Sequence, residues 1–227
     1  MTRKKSDSTN EKIIIALDTV DRAQAETMVH KLKGHISYFK VGPILFTLAG
    51  PSFITWLKEQ GMKVFLDLKF HDIPHVVEQA CRNAAVLGVD MLTVHTSGGI
   101  DMMKAARAGC ESGAASKNLV VPKVLGVTVL TSYEGRVRGR VVPLARLAKK
   151  AGLPGVVASG VEARDVRRAC GSNFVIVTPG IRSTGKPKQD QRAVSSAAQA
   201  FKAGANFIVV GRPIVQANDP IAALRRL

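Results

Sequence analysis

Eight short runs rich in β-branched and aliphatic residues recur along the chain, at residues 12–18, 36–41, 63–68, 91–94, 122–129, 155–158, 174–177 and 206–210. Amphipathic stretches of helical period, such as residues 22–33 and 76–87, lie between them. A strand that continues into a helix and then another strand must cross over to pair in parallel, so strict alternation predicts a parallel sheet covered by helices. Eight strands with seven intervening helical segments predict a closed (β/α)8 TIM barrel, whose reactive groups belong at the C-terminal ends of the strands. A last helix is expected over residues 220–227, with Asp219 as N-cap and Pro220 in the first turn.

The chain has 227 residues, 46% of them hydrophobic, which suits one well-buried barrel. Residues 1–10 read as a disordered polar tail and residues 11–227 as a single catalytic domain, without a linker or low-complexity segment. The opening MTRKKSDSTN lacks the apolar core of a signal peptide, and the IIIAL that follows is too short to span a membrane. A cytoplasmic protein is expected. Cys81, Cys110 and Cys170 are odd in number and widely spaced, so they read as reduced packing residues rather than a disulfide or zinc framework.

The net charge of +16 is unevenly placed. Between Arg136 and Arg192 there are 13 lysines and arginines against three acids, Glu162, Asp165 and Asp190. Such a field attracts phosphorylated ligands, and it could also hold nucleic acid without specificity. The bases are scattered, few aromatics are interleaved with them, and no nucleic-acid-binding motif is present, so no specific nucleic-acid partner is expected.

Within VFLDLKFHDIP, side chains alternate, so Phe65, Asp67 and Lys69 share one strand face while Val64, Leu66 and Leu68 share the other. With the aliphatic face toward the helices, the charged face points into the barrel mouth. Asp18 ends the first strand on the face of Ile14 and Ala16, and Lys40 ends the second on the face of Tyr38. Four charges of alternating sign therefore converge, either as a structural ion-pair network at the rim or as acid and base groups of a site.

A second constellation follows strands seven and eight. TPGIR at 178–182 and VGRPI at 210–214 place Gly180, Arg182, Gly211 and Arg212 on adjacent loops, where barrels of this class build phosphate sites from backbone amides and arginine forks. The long polar segment 183–191, with Gly185 in it, reads as a lid over that phosphate or as a plain surface loop, and Gln191 could reach inward from it.

FLDLKFHDIP, together with ALD at 16–18, KVG at 40–42, VTVLTS at 127–132, TPGIR and VGRPI, resembles the orotidine 5'-phosphate decarboxylase family over almost the whole chain and in the same order. The resemblance implies a cofactor-free, metal-free conversion of orotidine 5'-phosphate to UMP and carbon dioxide, the last step of de novo UMP biosynthesis. Carried over residue by residue, Lys69 is the acid that protonates carbon 6, Asp67 faces the departing carboxylate, and Asp72 is contributed by the other subunit of a homodimer. Lys40 holds the charge network and the ribose, Asp18 binds a ribose hydroxyl, and Thr131 or Ser132 meets the pyrimidine edge. Gln191, Gly211 and Arg212 take the phosphate, with Arg182 nearby.

The chain departs from the family's usual DIPNTV by carrying His75 and Val76, so the hydroxyl that normally follows the motif is missing. His75 reads as a surface residue of a helix N-terminus, and His71 and His95 as structural. A shorter DxKxxD pattern is shared with a sister barrel family that decarboxylates 3-keto-gulonate 6-phosphate using magnesium; that activity is one alternative. A basic, noncatalytic nucleic-acid-binding barrel is the other.

Overall fold

Eight parallel strands close on themselves in chain order: β1 Ile13–Ala16, β2 Tyr38–Val41, β3 Lys63–Phe70, β4 Met91–His95, β5 Lys123–Val127, β6 Gly155–Val157, β7 Val175–Thr178 and β8 Phe207–Val210. The structure is a computed structural model that describes residues 10–19, 21–130, 139–181 and 195–227. Closure is made at β1, where Ile14 is opposite Tyr38 on one side and Val209 on the other. The expected (β/α)8 barrel is therefore the observed architecture.

The connecting helices are α1 Arg22–Leu32, α2 Pro43–Glu59, α3 Pro74–Val86, α4 Gly99–Ser116, α5 Val141–Lys150, α6 Ala163–Cys170 and α7 Ala197–Lys202. Local chemistry fixes several of their starts. Asp21 accepts the amides of Ala23 and Gln24 at the head of α1, and Ser196 and Gln199 form a reciprocal capping box on α7. After β8 the chain forms two short helices, α8 Arg212–Val215 and α9 Pro220–Leu224. The first corrects the reading of VGRPI as open loop: Pro213 is at its start, where a missing N–H costs nothing. The second begins as expected, with the Asp219 side chain accepting the Ala222 amide, and ends at Leu224 rather than at residue 227.

The period-two pattern of the strands divides the core into two layers. Ile14, Tyr38, Phe65, Met91, Leu125 and Val209 fill the barrel interior. Their neighbours Ile13, Ile15, Phe39, Val64, Leu66 and Leu92 face outward and bury the apolar faces of the helices. Cys81, Cys110 and Cys170 are buried free thiols.

The α6–β7 turn and the α7–β8 turn are tied by Arg167 of α6. Its guanidinium donates to the carbonyls of Gly171, Ser172, Phe174 and Gly204 and to Asn206 Oδ1, with donor–acceptor distances from 2.6 to 3.3 Å. Asn206 Oδ1 in turn accepts the Ile176 amide of β7 at 2.9 Å. No helix among the described residues is long and apolar enough to cross a membrane.

Candidate active site

Three neighbouring strand ends deliver charge to the mouth. Lys40 is the third residue of β2, Asp67 and Lys69 lie near the end of β3, and Asp18 follows β1 by two residues. Because Lys40 and Asp67 continue the inward-facing parity of Tyr38 and Phe65, their charges cap the apolar interior instead of reaching the helices. Lys40 Nζ lies 2.9 Å from Asp18 Oδ1 and 3.6 Å from Asp67 Oδ2, while Lys69 Nζ lies 2.9 Å from the same Asp67 oxygen. The four charges alternate and cancel.

Burial differs along this row, with Asp67 13% exposed at its side chain against 49% for Asp18. Burial alone would raise the Asp67 carboxyl, yet its pKa is lowered. The Lys40 and Lys69 ammonium groups outweigh desolvation, aided by hydrogen bonds from Lys69 and Thr93. Asp67 is therefore anionic at neutral pH and keeps two ammonium groups beside it.

Lys69 keeps the alternation of β3 but not its regular backbone. β3 continues two residues beyond the expected end, to Phe70, and its register with β4 shifts between Leu66 and Phe70. Lys69 itself adopts a left-handed backbone, φ 53°. The inward direction expected for Phe65, Asp67 and Lys69 holds: Leu66, Leu68 and Phe70 pack on the outer layer, and the register shift of two residues leaves the parity of the strand unchanged.

The four charges form one wall of a cavity of about 440 Å³. Gly180, Gly211 and Arg212 line the same cavity, so the two constellations separated in sequence share one space. Between them the wall is apolar, with Val127, Val157 and Val209 among its residues. A ligand with an anionic end near Arg212 and a reacting centre near Lys69 fits this distribution of charge. Among the described residues, no group of three or more His, Cys, Asp or Glu side chains converges as metal ligands.

Asp72 stands apart. It is exposed, its Oδ1 accepts the Ile73 amide at 2.7 Å, and it is not in the wall of the cavity. Ile73 and Val76 beside it are also exposed, at 64% and 44%. His75 is exposed at the start of α3. The rings of His71 and His95 are 5.3 Å apart, and burial, then His71 and Lys69, push His95 toward its neutral form against the pull of Asp67. Thr131, Ser132, Arg182 and Gln191, with the 183–191 segment, lie outside the described residues.

Two participants were not singled out by the sequence reading. Thr93 is fully buried and hydrogen-bonded to both Asp67 and Lys69. Its signal was a hydroxyl two residues after inward-facing Met91, in a strand whose interior positions are otherwise apolar until His95. Gly42 is the second: a Cβ there would lie 3.0 Å from Lys40 Nζ and 3.1 Å from Asp18 Oδ1. The KVG triplet contained it, but only the fold shows that it closes over the Lys40–Asp18 pair.

The model of the "Orotidine 5'-phosphate decarboxylase / HUMPS family" matches residues 11–227. The chain is 47% identical to orotidine 5'-phosphate decarboxylase of Moorella thermoacetica, over 96% of this chain and 90% of the relative. It is 45% identical to the protein of the same name from Nitrosococcus oceani, over 95% of each. Among solved structures, it is similar to orotidine 5'-phosphate decarboxylase from Lactobacillus acidophilus, with a TM-score of 0.82 and 37% identity over 95% of this chain and 96% of the other.

Proposed function

Because the chain belongs to the orotidine 5'-phosphate decarboxylase / HUMPS family, we propose that it converts orotidine 5'-phosphate to UMP and carbon dioxide without a cofactor, as the closing step of de novo UMP synthesis. The observation that carries this reading is the Lys69 ammonium, 2.9 Å from an anionic Asp67, in a cavity that Arg212 also lines. Breaking the bond from carbon 6 to the carboxylate leaves an electron pair on carbon 6. A fixed ammonium stabilises that developing charge and then donates its proton to it, and Lys69 regains a proton from solvent.

In this assignment Asp67 faces the departing carboxylate and holds Lys69, Lys40 keeps the network neutral and reaches the ribose, and Asp18 accepts from a ribose hydroxyl. Gly211 and Arg212 take the phosphate together with Gln191, Arg182 lies near them, and Thr131 or Ser132 meets the pyrimidine edge. Remote phosphate binding helps to hold the reacting ring at Lys69. Residues 11–227 act as one catalytic domain in the cytoplasm.

The direct test is loss of orotidylate absorbance on adding the protein in the presence of a chelator. Sustained turnover supports the reading. No turnover, or turnover only after magnesium is restored, overturns it. Asp72 is assigned across a homodimer interface, in keeping with its exposure beside Ile73 and Val76. Mixing inactive Lys69→Ala and Asp72→Asn dimers should then restore roughly a quarter of wild-type activity once subunits exchange. No recovery despite demonstrated exchange returns Asp72 to its own chain.

A further inference from the structure

The irregularity in β3 has a specific partner in β4. From Leu66 to Phe70, β3 advances four residues while β4 advances only from Leu92 to Val94. Extra residues in one strand lose their ladder partners, so a buried amide there needs another acceptor. The Lys69 amide finds it in Thr93 Oγ1, at 2.9 Å. The same hydroxyl donates its proton to Asp67 Oδ1 at 3.0 Å.

One buried side chain therefore joins the backbone of the proton donor to the carboxylate beside it. Thr93 is 0% exposed, so both bonds are shielded from competing water. With Oδ1 occupied by Thr93, the other Asp67 oxygen faces Lys69 and Lys40. The left-handed Lys69 backbone, unfavourable for an L residue, is held by the same contact.

We propose that Thr93 is a positioning residue for the decarboxylation: it holds Lys69 and Asp67 in reactive geometry without touching substrate. The inference rests on the function proposed above. Its hydroxyl is the operative group, and its methyl is packing. Loss of the hydroxyl frees the Asp67 carboxylate to rotate and leaves the Lys69 amide without its partner.

The test compares Thr93→Val, which keeps the shape and removes the hydroxyl, with Thr93→Ser, which keeps the hydroxyl. Thr93→Val should lower kcat by roughly tenfold or more with a much smaller change in KM, because the displaced groups act at the reacting centre rather than at the phosphate. Thr93→Ser should recover most of that loss. The acid limb of the pH–rate profile should also move to higher pH in Thr93→Val, since the carboxylate loses a hydrogen bond that favours its charged form. The other titratable groups near Asp67 are unchanged in the comparison: Lys40 from β2 and Lys69 from β3, Asp18 paired with Lys40, and His95 at the end of β4 beside His71.

Hydrogen exchange at the Lys69 amide gives a readout independent of turnover. The amide should be protected in wild type and in Thr93→Ser and exchange faster in Thr93→Val. A Thr93→Val protein with wild-type kcat and an unmoved pH profile overturns the proposal. So does a Thr93→Ser protein as impaired as Thr93→Val. If wild type does not decarboxylate orotidine 5'-phosphate, the function fails, and this inference with it as a statement about catalysis, while unchanged exchange in Thr93→Val would by itself refute the positioning.

Discussion

Replacing Gly42 by alanine tests how tightly the charged row is held. Gly42 lies between β2 and α2 with φ −96° and ψ −178°, angles open to alanine, so backbone strain is not introduced. The added Cβ would come 3.0 Å from Lys40 Nζ and 3.1 Å from Asp18 Oδ1. Ordinary contact requires each to withdraw by roughly 0.3–0.5 Å. Lys40 has little room to do so: its side chain is 10% exposed and already lies between Asp18 at 2.9 Å and Asp67 at 3.6 Å. If a misplacement of about 1 Å costs about 100-fold, half of that should lower kcat/KM about tenfold, or about 1.4 kcal/mol. Steady-state decarboxylation of orotidine 5'-phosphate measures this, with thermal unfolding as the control, where Tm should fall by no more than about 2–4 °C because alanine is a poorer N-cap than glycine by about 1 kcal/mol or less. A variant with wild-type Tm and kcat/KM within about twofold of wild type would refute the claim that Lys40 is held in place by its surroundings.

Lys69→Ala should abolish turnover while UMP still binds, measurable by calorimetry, because the acid is removed and the Arg212 side of the cavity is left intact. Arg167→Ala should lower Tm by about 4–12 °C, following a loss of about 2–3 kcal/mol after allowing for water reaching the freed carbonyls, and a shift below about 2 °C would show that the clamp between the α6–β7 and α7–β8 turns is dispensable. Burial opposes ionisation of Asp67, but Lys40 and Lys69 hold its pKa below the ordinary 3.8. Its stabilising contribution is therefore complete above that value and lost as pH falls through the lower folded one. The Tm difference between wild type and Asp67→Asn should narrow as pH drops from about 5 to about 2, and a constant difference would contradict the assigned charge state.

Much of the barrel is legible in the chain because its rules are local. A run such as IIIA can bury both faces only between an interior and a layer of helices, and Asp219 before Pro220 marks a helix start wherever it occurs. The boundaries moved where tertiary contacts intervene: β3 runs to Phe70 because Phe70 pairs with Val94 beyond the register shift, and VGRPI coils into α8. The charged row was legible for a related reason. Asp18, Lys40 and Asp67 continue the parity of Ile14, Tyr38 and Phe65, so alternation alone directs them inward.

Alternation could not supply Lys69's left-handed backbone, which depends on the mismatch between β3 and β4, two elements whose register no single strand encodes. Nor could it reveal Thr93 and Gly42. A buried hydroxyl acquires its role only when Asp67 and the Lys69 amide arrive on either side of it, and a glycine becomes a close contact only when Lys40 and Asp18 fold over it. By itself the sequence determined which faces are apolar and which residue types stand at the strand ends, because side-chain period and hydrophobicity are properties of each segment. The tertiary structure decided how those groups are held to within tenths of an ångström, because hydrogen bonds and close contacts between strands are properties of pairs brought together by closure of the barrel.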